Sequence, residues 1–175
     1  MYGKVSYHRI AEAAEIYMAD GGYMNLEIEI YTKDKIPDVL DFENRLREEE
    51  NFWGWEINDA YIRAVEKSFD DSAFDRSISL LAYDGDKVVG RIDSTMIASH
   101  FDGSKKTYLD WICVIKSYRH QGVAQRLLET LREILKEHHI DTLIALTASN
   151  EEAQRFYKSV PNSEMRDIGI WIDVV

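Results

Sequence analysis

A strand that runs straight into an amphipathic helix, with a second apolar run behind it, narrows the possible folds more than any other feature of this sequence. Tyr108–Val114 is apolar along almost its whole length and carries a single charge, Asp110. Beyond the turn, Ala124, Leu127, Leu128, Leu131, Ile134 and Leu135 recur along one side of a helix, with Arg126, Glu129, Arg132, Glu133 and Lys136 opposite. Thr142–Thr147 is a short apolar run with the look of a buried strand. A helical crossover joins the two strands, so they lie parallel.

The turn between strand and helix favours an anion. The first N–H groups of a helix have no intrahelical partner, and the helix dipole adds positive potential there. Gly122 lets the backbone approach a phosphate oxygen, Ala124 keeps the next turn small, and Arg119 adds a planar charge. Taken alone, the same residues equally describe a tight connection with a solvated arginine.

The rest of the chain supplies a meander and its cover. Ile10, Ala13, Ala14 and Tyr17 stand at helical spacing before Gly21-Gly22, which predicts an N-terminal helix over 6–19. Leu26, Ile28 and Ile30 alternate with Glu27, Glu29 and Tyr31 as a first strand. Val39, Leu40, Phe42 and Leu46 mark a helix after Pro37, and Asn58 caps a second one carrying Tyr61, Ala64, Val65 and Phe69. Ser77–Tyr83 and Lys87 to about Ile97 form a hairpin about Asp84-Gly85, and Asp102-Gly103 turns the chain into the strand at Tyr108. Ser149 to Glu152 has the form of a capping box for a helix through Ala153, Phe156 and Tyr157, and Met165–Val175 alternates as a last strand. His138 and His139 close the long helix with no third ligand at a useful spacing, so no metal is expected.

Composition limits the function. With 175 residues, 45% hydrophobic and two prolines, the chain suits one domain with its own core, 1–175. One cysteine makes no internal disulfide, and no apolar run reaches the ~18 residues of a membrane span, which together point to the cytoplasm. A net charge of −11 argues against nucleic acid and a membrane as partners and suits a cationic substrate. The acidic run Glu48, Glu49, Glu50, Asp59, Asp70, Asp71 and Asp75 is either a solvated face or a means of concentrating an amine. Trp53 and Trp55 either staple two helices or wall an acceptor site.

Arg119-His120-Gln121-Gly122-Val123-Ala124 resembles the R/Q-x-x-G-x-G/A signature of GNAT-type N-acetyltransferases, and Val114 stands five residues before the arginine, as in that family. Lys116 replaces a frequent proline, a departure expected to affect loop stiffness and not the phosphate site. Asn150, Ala153 and Phe156-Tyr157 resemble a second family segment, N-x-x-A-x-x-[FL]-Y, after which Ser159-Val160-Pro161 departs from the usual Gly-Phe. The resemblance spans Leu26–Val175, leaving residues 1–25 as a helical elaboration. It implies an α/β (α+β) fold: a central mixed, mostly antiparallel sheet with a splayed parallel strand pair and helices on both faces. It also implies acetyl-CoA as co-substrate, with no metal, and a small-molecule amine as partner. Relatives commonly pair through their terminal strands, so a homodimer is compatible with it.

By the same resemblance, the turn from Arg119 to Ala124 holds the pyrophosphate and the backbone of Ile112, Cys113 and Val114 pairs with pantetheine, leaving a strand N–H as oxyanion donor. Tyr157 becomes the general acid, a phenol protonated at neutral pH; the other reading is a ring packed in the core. Asn150 holds the pantetheine amide, caps its helix, or does both. Asp110, a carboxylate in an apolar strand, is either the base that deprotonates the amine or a structural partner, with Arg91 a candidate to pair with it. Cys113 reads as core packing. The reaction implied is direct attack of a primary amine on acetyl-CoA through a tetrahedral intermediate. A CoA-binding sensor without turnover, an acetyltransferase acting on a protein N-terminus or lysine, and a plain anion-binding domain are the alternatives.

Overall fold

The computed structural model of the chain describes residues 12–17, 23–50, 56–146, 150–166 and 172. Among these, six strands form one sheet in sequence order: β1 (Glu12–Tyr17), β2 (Tyr23–Ile30), β3 (Ser77–Asp84), β4 (Lys87–Ala98), β5 (Lys105–Val114) and β6 (Leu143–Ala145). Each neighbouring pair is antiparallel except β5 and β6, which run parallel. The helices are α1 (Ile36–Glu50), α2 (Asp59–Ser68), α3 (Val123–Glu137) and α4 (Glu151–Ser159). The mixed sheet with one parallel pair is the one expected, and so is the crossover helix α3.

Alternation along the strands splits the core in two. Leu80 and Ala82 of β3 join Leu109 and Val114 of β5 beneath α3, where Leu127, Leu131 and Ile134 are buried. Leu81 and Tyr83, one residue out of phase, face Val39, Phe42 and Leu46 of α1. Both faces are therefore covered by helix. Each fully buried leucine on these faces contributes about 1.5–3 kcal/mol.

Close packing fixes where α3 starts. A Cβ on Gly90 of β4 would lie 2.9 Å from Val123 Cγ1 and 3.1 Å from Leu127 Cδ1, so glycine lets the first turn of α3 settle against the sheet. Local signals set other boundaries. Asn58 accepts the Tyr61 N–H and caps α2, and Gly85 takes φ +62° in the β3–β4 hairpin, a conformation that favours glycine.

Two expectations need revision. Residues 12–17 are not helical but form β1, paired from Glu12↔Ile28 to Tyr17↔Tyr23. The free edge of β2 gives this stretch a ladder of partners, and its Ile16 and Tyr17 suit a strand; Gly21-Gly22 signals a turn between strands as well as it signals a helix stop. The cap of α4 is Asn150, whose Oδ1 accepts the Ala153 N–H at 2.8 Å. Ser149, read as the capping residue, lies outside the described residues, as do Trp53, Trp55 and most of the last expected strand.

Candidate active site

β5 and β6 are paired only from Thr107↔Leu143 to Leu109↔Ala145, yet β5 continues to Val114. Among the described residues, no pairing with β6 continues along β5 beyond Leu109. On its other side, the β4–β5 register passes from Asp93↔Trp111 to Ser94↔Leu109. Asp110 is the extra residue of a bulge, a feature that re-aims a side chain and leaves its backbone unpaired. The bulge meets the end of the described β5–β6 pairing, the fork, at this one carboxylate, which is exposed.

The bulge also takes Asp110 out of phase with Ile112 and Val114. Read straight through, residues 110, 112 and 114 alternate onto one side; in the structure Leu109, Ile112 and Val114 pack on the α3 side and Trp111 and Cys113 on the α1 side. The phase slips at Asp110, so no buried carboxylate needs a partner there. Arg91 pairs instead with Asp93, Nε to Oδ2 at 2.7 Å, and with Glu43 at 3.2 Å.

After Val114 the chain makes a single 3-10 turn at Lys116–Tyr118 and reaches Gly122, which occupies the α3 N-cap at φ 84° with no side chain to cap the helix. His120, at φ +61°, also bends the turn left-handed. The amides of Val123 and Ala124 follow directly. Gln121 Nε2 donates to Ser117 O at 2.8 Å, while its Oε1 is buried without a partner.

Arg119 is less free than its sequence context suggests. Its Nε donates to Val114 O at 3.1 Å, its guanidinium pairs with Glu50 at the end of α1, and Nη1 lies 3.6 Å from Glu152. His120 Nε2 lies 3.4 Å from the same Glu152 carboxylate. A groove of ≈ 360 Å³ runs past these groups, lined by Lys116, Arg119, His120, Glu152 and Arg155. Lys116 therefore belongs to the groove, contrary to the expectation that it affects loop stiffness alone. Arg155 carries no motif and Glu152 only the last place of the capping box; the folding of α4 against the turn brings them there.

Tyr157 is half-buried against the α3-side core, its ring 5.2 Å from Phe156 in an edge-on arrangement. Burial raises its pKa, and the nearby Tyr108 phenol adds to the rise. Tyr108 sits one residue before the last β5–β6 pair, so two phenols lie near the fork. Cys113 is half-buried, and burial pushes its thiol up to about 11 despite the opposing Arg119 charge. Of the acidic run, Glu49 binds the Ser117 N–H and hydroxyl, Asp70 pairs with Lys33, and Asp71 accepts the Ala73 N–H.

Residues 23–160 match the model of the Acetyltransferase (GNAT) family, which covers the sheet from β2 onward, the turn and α4. The chain belongs to the GNAT acetyltransferase family. That family uses acetyl-CoA as its acetyl donor. No curated protein matches the sequence. Among solved structures, the aminoglycoside acetyltransferase meta-AAC0020 from an uncultured soil metagenomic sample, in complex with sisomicin, aligns over 86% of this chain and 97% of its own with 15% identity and a TM-score of 0.72. A possible acetyltransferase from Clostridium difficile 630 aligns over 86% and 98% with 21% identity and a TM-score of 0.67. AAC(6')-Iy, in complex with the bisubstrate analog CoA-S-monomethyl-acetylneamine, aligns over 86% and 99% with 16% identity and a TM-score of 0.68. At such identities these likenesses concern the fold. Among the described residues no helix is long and apolar enough to cross a membrane.

Proposed function

We propose that this chain transfers the acetyl group of acetyl-CoA directly to a small cationic primary amine. The observation that carries the proposal is the bulge at Asp110: an exposed carboxylate stands where the described β5–β6 pairing ends. The residues of the turn suit the donor. Gly122 leaves the N-terminus of α3 clear of side chain, and Lys116, Arg119, His120 and Arg155 line a groove fit for phosphates. The backbone of Ile112, Cys113 and Val114 is suited to pair with the pantetheine arm, and Asn150 stands at the neighbouring helix cap. Bound there, acetyl-CoA supplies the thioester whose acetyl group passes to the amine.

The remaining chemistry is proton handling. An alkylamine with pKa near 10.4 arrives mostly charged, so Asp110 takes its proton. Tyr157 holds its phenolic proton throughout neutral pH because burial raises its pKa, and can release it to a departing thiolate. Cys113, the one cysteine of the chain, is unsuited to carry an acyl group itself, since its thiol is pushed up to about 11. The excess of acidic over basic residues, net −11, favours a cationic acceptor over an anionic one. The similarity to aminoglycoside acetyltransferases supports a polyamine-like acceptor.

The test is free-thiol release from acetyl-CoA with sisomicin, spermidine and a lysine-containing peptide as acceptors. The two small polyamines should outpace the peptide. Tyr157→Phe should lower kcat by on the order of ten- to a hundredfold while calorimetry shows acetyl-CoA affinity within about twofold of wild type. Unchanged kcat would remove Tyr157 from the reaction. Binding of acetyl-CoA with no thiol released to any acceptor would replace the transferase reading with that of a sensor.

A further inference from the structure

Trp111, the neighbour of Asp110, is held from two sides. Its ring lies edge-on to Phe42 of α1 with centroids 6.5 Å apart, and the Arg91 guanidinium lies 5.7 Å from its centroid. Arg91 is itself fixed. Nη2 donates to Asp93 Oδ1 at 3.0 Å, Nη1 donates to Glu43 Oε1 at 3.2 Å, and the other side of the guanidinium covers Tyr31 at 4.9 Å. Glu43 has no exposed surface and accepts the Tyr61 hydroxyl on both oxygens, at 2.7 and 2.9 Å.

The place of this cluster matters more than its strength. Three desolvated charges hold a fold together little better than well-packed apolar side chains of the same volume, but they fix geometry. Here Asp93 is the β4 residue at which the register slips, paired with Trp111 on one side of the bulge. Leu109, on the other side, is locked into the α3 core. Anchoring both flanks leaves Asp110 one way to point.

We propose that Arg91 is a positioning residue for acetyl transfer: clamped between Glu43 and Asp93, it seats Trp111 and thereby holds the bulge that presents Asp110 at the fork. The proposal rests on the assignment of Asp110 as the base. Arg91 is clamped by Glu43 of α1 and by Asp93, so its proposed effect on the reaction runs through Asp110 alone.

A double-mutant cycle tests this, using thiol release with the fastest of sisomicin, spermidine and the lysine peptide. Arg91→Met and Trp111→Leu should each lower kcat on the order of tenfold, with acetyl-CoA affinity by calorimetry within about twofold of wild type. In an Asp110→Asn background neither should lower kcat further. Should Arg91→Met fail to fold, Trp111→Leu leaves the ion pairs in place and completes the cycle. Losses that multiply in the double variants would make the cluster a structural brace and overturn the positioning role, leaving Asp110 as base. An Asp110→Asn enzyme with wild-type kcat would overturn both roles and leave the transferase reading intact. A wild-type protein that releases thiol with none of the three acceptors would overturn all of them together.

Discussion

In the groove proposed for the donor, Glu152 is the carboxylate among Lys116, Arg119, His120 and Arg155. An incoming phosphate competes with it for Arg119, 3.6 Å away, and for His120, 3.4 Å away. Its side chain is 46% exposed, so solvent screens the contest and each contact is modest. Glu152→Gln should therefore tighten acetyl-CoA binding by about two- to fivefold at low salt, an effect that should vanish near ~1 M salt, where the Debye length is about 3 Å. Calorimetry at the two ionic strengths measures it, and weaker binding at low salt would show that the carboxylate organises the groove. The helix would lose about 0.3–1 kcal/mol, since Glu152 lies in the first turn of α4.

At the scale of elements, the position of α3 against β4 fixes the turn proposed to hold the donor, because Val123 both packs on Gly90 and follows the glycine that opens the helix. Gly90→Val would drive a branched side chain into Val123 and Leu127. The expected result is a loss of about 1–3 kcal/mol in denaturant melts, with weaker acetyl-CoA binding as the start of α3 is displaced. Unchanged values for both would show that the helix seats itself without this close approach. Much of this architecture was legible in the sequence. α1, α2, α3 and the β3–β4 hairpin each carry a period, a cap or a turn within their own residues. β1 was not legible, since a segment with Ile10, Ala13, Ala14 and Tyr17 at helical spacing yields a strand only through pairing with β2, a partner the segment does not contain. The bulge was hidden in the same way. Leu109 and Ile112 lie three residues apart on one face, and only the β4 register shows that Asp110 is the residue left over. The turn was legible as a strand-to-helix connection, whereas the engagement of Arg119 by Glu50 and Glu152 joins three segments distant in the chain.

For the whole molecule, 32 acidic against 21 basic residues repel a polyanion at long range, so on the proposed function capture of acetyl-CoA would fall to the local cationic groove and the α3 amides. The same interior that shapes the site makes the fold sensitive to alkali. Burial raises the pKa of Tyr31, Tyr83, Tyr118 and Tyr157, and it raises Cys113 from 9.0 to about 11. A group whose folded pKa exceeds its unfolded value binds its proton more tightly in the native state, so the stability it contributes is complete below the unfolded pKa and is lost as pH rises through the folded one. For Cys113 that window runs from about 9 to about 11. Allowing for partial exposure, the thiol accounts for about 2 kcal/mol of stability. Wild-type protein should thus lose stability in denaturant melts between pH 8.5 and about pH 11, and Cys113→Ala, which has nothing to ionise there, should lose about 2 kcal/mol less over the same interval. The tyrosines contribute equally to both proteins, so the difference belongs to the thiol. Parallel pH profiles for the two would show that Cys113 ionises in the folded protein as readily as in the unfolded chain, and that the α1 side of β5 admits solvent.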